Sequence, residues 1–156
     1  MKKPVISLLL IATNKYDQFV QPLLDSVDKY FFTDHEVNVY LFADKFSPLK
    51  KSRLKIHGIQ IEHKPWPAST LFRYKHFTSV AESIKGTHCI YCDIDMLFVA
   101  PVGEEILNDG LTAVQHPGFY KGGWGSTGCD PRSLAWLPED KCHGYCAGGF
   151  QGGSRD

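Results

Sequence analysis

The chain has 156 residues, 43% of them hydrophobic, with 17 acidic and 17 basic side chains in balance. That length and apolar content suit one domain with a real core. A formal net charge of zero leaves no electrostatic footprint for duplex nucleic acid or for an acidic membrane surface.

Lys2-Lys3 and the apolar residues from Val5 to Ala12 mimic a short signal peptide, but Asn14-Lys15-Tyr16-Asp17 follows with no small-residue cleavage site. The run is far too short to span a bilayer. No transmembrane segment is expected, and the chain reads as soluble and cytoplasmic. Val5 to Ile11 instead predicts a strand covered on both faces.

Phe19, Val20, Leu23, Leu24, Val27, Tyr30 and Phe31 then recur at helical spacing, with Pro22 either opening that helix or kinking it near its start. Val37 to Ala43 predicts a second strand, and Ile59-Gln60-Ile61 a short third. Between them, Lys50, Lys51, Arg53 and Lys55 read as a solvated face, with contact to an anionic ligand as the open alternative. Strand, helix, strand in this order predicts an α/β fold with a mostly parallel sheet flanked by helices.

Pro65-Trp66-Pro67 breaks the pattern, and Ser69 or Thr70 is placed to cap the next helix. Phe77, Val80, Ala81 and Ile84 make its buried stripe, and Gly86 its stop. Arg73 falls on that stripe. A guanidinium there either meets an anionic partner or snorkels to solvent.

His88 to Cys92 predicts a buried strand that ends in Asp93-Ile94-Asp95. Acidic residues rarely go inside unpaired, and strand positions i and i+2 face the same way. Two carboxylates on one face at a strand end make a hard-cation site or an acid/base pair. A turn that leaves both in water is the plainer alternative. Ligands of open α/β sheets bind at this edge. All-oxygen ligands suit Mn²⁺ or Mg²⁺, which keep positions open for phosphate oxygens. A D-x-D phosphatase of the haloacid dehalogenase type is disfavoured, because the motif lies in mid-chain and Met96-Leu97-Phe98 follows it.

Leu111 to Gln115 predicts one more strand, ending in His116-Pro117-Gly118-Phe119-Tyr120. Residues 122–128 are glycine-rich and read as a loop, and the glycines of 148–153 read as turns that allow close backbone approach to a ligand. The five cysteines at 89, 92, 129, 142 and 146 are odd in number, which argues against a disulfide framework. Cys89, Cys92, Cys142, His143 and Cys146 make a zinc site on paper. Cys89 and Cys92 turn to opposite strand faces, so core cysteines are the better reading.

Taken in order, several blocks resemble glycosyltransferase family 6, which includes the histo-blood-group A and B transferases and the α1,3-galactosyltransferase. They are Ile11-Ala12-Thr13-Asn14-Lys15-Tyr16, Val37 to Asp44, Tyr91 to Met96 with Val102 to Leu107, His116 to Tyr120, Leu137 to Asp140, and Gly148 to Ser154. The resemblance implies a single GT-A domain over 1–156, with 1–95 as the nucleotide-binding part ending in the D-x-D motif. Residues 96–156 would begin the sugar- and acceptor-binding part.

It further implies transfer of a galactose-type sugar from a UDP donor to a glycan acceptor, with retention of configuration. Ile11, Ala12, Thr13 and Tyr16 would cradle the uridine. Asp93 and Asp95, with Ile94 between them, would hold Mn²⁺ (or Mg²⁺) on the diphosphate. Arg73 would reach the donor and His116 the acceptor. Ala147, Gly148 and Gly149 would meet the sugar, and glycine rather than alanine at 149 would leave room for an N-acetyl group. UDP-GalNAc is therefore expected over UDP-Gal.

Family members continue past the block matching Gly148 to Ser154, and that further part carries the glutamate proposed as nucleophile. Its position would fall beyond Asp156, the last residue here. No carboxylate of this chain matches it, so no catalytic residue is assigned. The expectation is an incomplete GT-A fold whose C-terminal part is missing, a fragment of a complete, bacterial- or phage-type enzyme. The alternative is a naturally short, non-catalytic UDP-sugar-binding module, able at most to hydrolyse donor slowly.

Overall fold

The first strand, β1 (Val5–Ala12), is buried along nearly its whole length and carries the fold on both faces. Alternation sends Ile6, Leu8, Leu10 and Ala12 into one core, with Val20, Leu23, Leu24 and Val27 of helix α1 (Val20–Tyr30). Leu9 and Ile11 face the other core, around Phe42, Phe77 and Ile84. Leu8 and Leu10 are fully buried, so truncating either to alanine costs about 2–5 kcal/mol. The computed structural model describes residues 3–119, 132 and 146–155.

A six-stranded sheet grows outward from β1. On one side β2 (Glu36–Ala43) pairs with it in parallel, and β3 (Lys55–Gln60) pairs in parallel with β2. Helices α2 (Ala68–Leu71) and α3 (Arg73–Ser79) then cross back over the sheet's second face. On the other side of β1 lies β4 (His88–Cys92), again parallel. The last strands, β5 (Leu111–Gln115) and β6 (Cys146–Ser154), pair antiparallel with each other, and β6 with β4. The order is β3-β2-β1-β4-β6-β5, a mixed α/β sheet that is mostly parallel.

The third strand departs from expectation. It covers 55–60 rather than 59–61, because its polar residues find partners within the sheet. The His57 ring stacks on Tyr40 at 4.7 Å and bonds Asn38 Oδ1 at 3.0 Å, while Gly58 lies beneath the Phe46 ring. The basic cluster is held by neighbours. Lys50 pairs with Asp25 and Lys55 with Glu36, and the Arg53 guanidinium donates to the carbonyls of Val27, Asp28, Phe31 and Phe32 at the end of α1. Pro22 sits in the first turn of α1, where its missing N–H costs nothing.

The single helix expected after Pro67 is divided. α2 and α3 break at Phe72, and a short 3-10 turn over Ala81–Ser83 follows. Neither Ser69 nor Thr70 caps it; Pro67 occupies the cap position and no side chain bonds there. Phe77 and Ile84 are buried as expected, but Ala81 is exposed.

Gly86 adopts φ +119°, and a Cβ there would lie 2.6 Å from the Val5 carbonyl. Only glycine fits that approach to β1.

The glycines of 148–153 form strand β6 rather than turns. Gly152 and Gly153 are small because the sheet is tight there: a Cβ on Gly152 would meet the Cys89 carbonyl oxygen at 2.3 Å, and one on Gly153 the Gly110 carbonyl oxygen at 2.3 Å. Cys92 lies in the α1-side core and Cys89 against the opposite one, both as free thiols. Cys129, Cys142 and His143, the glycine-rich 122–128, Tyr120, residues 137–140 and Asp156 lie outside the described residues. Among the described residues no helix is long and apolar enough to cross a membrane.

Candidate functional site

Parallel pairing brings the C-terminal ends of β1, β2, β3 and β4 to one edge of the sheet, where the chain leaves the backbone ladder. Such an edge is where an open α/β sheet takes its ligands. A cleft of ≈ 490 Å³ lies there, lined by residues 11 and 13–16 at the end of β1, by 63, 65, 66, 69, 70 and 73 around α2, and by 91 and 93–95 at the end of β4.

One arm of the cleft is fixed by backbone geometry. Asn14 adopts φ 57°, in the left-handed region that asparagine tolerates. Its N–H donates to both Asp44 oxygens, at 3.1 and 3.0 Å. Thr13 is buried, and its Oγ1 lies 3.0 Å from His63 Nδ1. Tyr16 lines the cleft, is 40% exposed and lies tilted against Phe19 at 5.8 Å, so part of its ring is accessible to a ligand. Ala12, expected here, is instead fully buried in the α1-side core and is not among the residues lining the cleft.

The carboxylates form the other arm. Strand β4 ends at Cys92, and residues 94–95 form a turn closed by the Met96 N–H donating to the Asp93 carbonyl at 3.3 Å. Strand alternation therefore does not apply to the pair. The turn brings both to one cleft by another route: Ile94 buries its side chain in the core as an anchor, while Asp95 stays exposed.

Asp93 is held through its backbone and one carboxylate oxygen. Its N–H donates to the Gly149 carbonyl at 2.7 Å, its Oδ1 accepts the Tyr91 hydroxyl, and Arg73 Nη2 lies 3.5 Å from the same oxygen. Arg73 does not snorkel; its side chain is 12% exposed. It lies 4.0 Å over the Tyr91 ring, Nη1 donates to the Gly148 carbonyl at 2.8 Å, and Nε is buried with no acceptor among the described residues. Burial, and then the bond and charge of Asp93, push the Tyr91 hydroxyl well above the usual phenol range, so it stays protonated and donates. Burial, reinforced by Asp93 and Asp95, pushes the Cys92 thiol up to about 12.

Two carboxylates do not close a cage around a cation, and among the described residues no cluster of three His, Cys, Asp or Glu could hold a metal by itself. An oxygen-only pair at the mouth of a cleft fits a hard cation that takes its remaining oxygens from a ligand. The orphaned Arg73 N–H in the same corner also fits a site completed by something negative or polar.

Of the expected residues, Ile11, Thr13, Tyr16, Arg73, Asp93, Ile94 and Asp95 meet in this cleft. Gly148 and Gly149 join it from behind, through their carbonyls to Arg73 and Asp93, and Ala147 precedes them on β6. His116 directly follows β5 and accepts the Gly118 N–H at 3.1 Å; it is not among the residues lining the cleft. Tyr91 and His63 have no signal of their own in the sequence. One reads as a strand aromatic and the other as a lone loop histidine, and only tertiary packing brings them in.

The sequence model of glycosyltransferase family 6 matches residues 1–156. Histo-blood group ABO system transferase 1 of Rattus norvegicus is 30% identical over 164 residues, covering 99% of this chain and 47% of the rat protein. Globoside alpha-1,3-N-acetylgalactosaminyltransferase 1 of Homo sapiens is 30% identical over 124 residues, covering 74% of this chain and 35% of the human protein. The O-antigen biosynthesis glycosyltransferase WbnI of Escherichia coli is 23% identical over 117 residues, covering 74% of this chain and 50% of the bacterial one. The chain thus spans from about a third to half the length of these relatives.

Proposed function

The chain belongs to glycosyltransferase family 6, and from that premise we propose that it is the donor-binding part of a metal-dependent, retaining hexosyltransferase. It uses a UDP-activated galactose-type sugar, UDP-GalNAc in preference to UDP-Gal, and a glycan as acceptor. The observation that carries this reading is one cleft at the strand ends. It gathers the Thr13–Tyr16 arm, Arg73 and the Asp93–Asp95 turn from three separate stretches of chain.

Each residue has a definite task under this reading. The accessible part of the Tyr16 ring stacks on the uracil, while Thr13 and the Asn14 turn hold the ribose end. Asp93 and Asp95 would hold Mn²⁺ or Mg²⁺, with the remaining oxygens supplied by the donor. Such an ion, when bound, neutralises charge growing on the departing diphosphate, an effect on the order of several kcal/mol. Arg73, already fixed by Gly148 and Tyr91, turns its spare N–H capacity toward the sugar-phosphate.

The preference for an N-acetylated sugar rests on β6. A Cβ at 148 would meet nothing within 4 Å among the described residues, and one at 149 would press on Asp93 Oδ2 at 2.8 Å. The space at Gly148 is room that a bulkier 2-substituent can use, whereas Gly149 lies close against the carboxylate and itself leaves none to spare. The human globoside relative is by name an N-acetylgalactosaminyltransferase, which favours the same donor.

Titrating UDP, UDP-Gal and UDP-GalNAc in Mn²⁺ tests the reading. UDP-GalNAc is expected to bind most tightly, and tighter UDP-Gal binding rejects the donor assignment.

A further inference from the structure

We propose that Tyr91 is a positioning residue, which fixes which oxygen of Asp93 is offered to the cation and so selects small octahedral cations over calcium. The inference rests on the donor-site reading above and adds to it a residue and a selectivity. Asp93 Oδ1 is engaged twice, by the Tyr91 hydroxyl and by Arg73 Nη2 at 3.5 Å. Oδ2 carries no hydrogen bond among the described residues and lies beside Gly149, which has no side chain of its own to cover it. The carboxylate thus has one bound oxygen and one free.

The arrangement is stiff. The Tyr91 ring is 6% exposed, packs on Phe77 at 5.6 Å and carries the Arg73 guanidinium on its face at 4.0 Å. The Asp93 backbone is pinned to Gly149 at 2.7 Å. Neither end of the Tyr91–Asp93 bond can swing away without breaking a second contact.

A carboxylate locked in this way can bind a cation through one oxygen only. Mg²⁺-like ions demand near-ideal octahedra and accept single oxygens, whereas Ca²⁺ takes more oxygens and commonly a bidentate carboxylate. Locking Oδ1 therefore penalises calcium specifically. Without the hydroxyl, only the longer 3.5 Å contact to Arg73 restrains Oδ1, and the carboxylate can turn to present both oxygens.

Tyr91→Phe keeps the ring, its packing and its contact with Arg73, and removes only the hydroxyl. The test titrates Mn²⁺ into the full chain with saturating UDP, following the electron paramagnetic resonance signal of free Mn²⁺, and then displaces it with Ca²⁺. Groups that orient a ligating side chain are worth roughly 10–100-fold in metal affinity. Mn²⁺ affinity is expected to fall about tenfold in Tyr91→Phe, with Ca²⁺ affinity within about twofold, so that discrimination collapses. Arg73→Gln is expected to weaken UDP binding yet keep the Mn²⁺/Ca²⁺ ratio.

A proportional loss for both cations, or no change for either, overturns the role of Tyr91 and leaves the donor site standing. Failure of the unaltered chain to bind Mn²⁺ at all with UDP overturns both. An unchanged thermal midpoint for Tyr91→Phe shows that any altered ratio does not come from a damaged core.

Discussion

Gly149→Ala adds one methyl at the point where β6 touches the Asp93 carboxylate. Its Cβ would sit 2.8 Å from Oδ2 and 3.4 Å from the Met96 sulfur, where ordinary van der Waals contact begins at 3.4 Å. Something has to move. Rotating the carboxylate breaks its bonds to Tyr91 and Arg73; shifting β6 lengthens the 2.7 Å bond from the Asp93 N–H to the Gly149 carbonyl. Overpacking of this kind costs about 1–3 kcal/mol, or roughly 5- to 150-fold in a binding constant. The loss belongs to the carboxylate, so it is expected for UDP itself, which has no sugar, when titrated calorimetrically in Mn²⁺. UDP binding without metal, which relies on the Thr13–Tyr16 arm, should hardly change. Any further loss for UDP-GalNAc over UDP-Gal measures the methyl's effect on the sugar pocket. Unchanged UDP affinity in Mn²⁺ refutes the argument, because the methyl would then not act through Asp93.

Other outcomes follow from the same geometry. Asp95→Asn, at an exposed turn position, is expected to weaken Mn²⁺-dependent UDP binding by about a hundredfold or more, with the thermal midpoint nearly unchanged in circular dichroism. Gly152→Ala drives a Cβ to 2.3 Å from the Cys89 carbonyl and 2.8 Å from Ile90 Cα, both backbone atoms that cannot yield. The expected cost is about 3 kcal/mol, a fall of roughly 6–12 °C in midpoint, whereas Gly148→Ala, with nothing within 4 Å among the described residues, leaves the midpoint in place. The Cys92 thiol has its folded-state value raised from 9.0 to about 12. Its contribution to stability is therefore complete below pH 9.0 and is lost as pH rises toward the folded value. Urea midpoints of the native chain and Cys92→Ala should converge as pH rises above about 9.

Much of the fold is written plainly in the sequence because its central strands are buried on both faces. β1, β2 and β4 leave continuous apolar runs that only a covered strand explains. β3 does not, since an edge strand can satisfy His57 through Asn38 and Tyr40 and carry Gly58 under a ring. β6 reads as a string of turns because its glycines answer to close neighbours rather than to local backbone preference. The helix after Pro67 has the right periodicity but breaks at Phe72 and Val80, where no proline or glycine gives warning.

The site is legible through charge in an apolar setting. Asp93 and Asp95 stand out between two hydrophobic runs, and Arg73 stands out on an apolar stripe. That the two aspartates converge by a turn rather than a strand face depends on Ile94 anchoring the bend, which alternation alone cannot foresee. Tyr91 is hidden for the opposite reason. An aromatic residue inside a buried strand looks like core until its hydroxyl is seen on Asp93.

Calorimetric titration of UDP-GalNAc with Mn²⁺, and again after addition of a chelator, tests the central claim most directly. The account predicts saturable binding in Mn²⁺ that weakens by at least about tenfold once the ion is removed. Binding of equal strength with and without the ion would contradict it, since Asp93 and Asp95 would then hold nothing that the nucleotide needs.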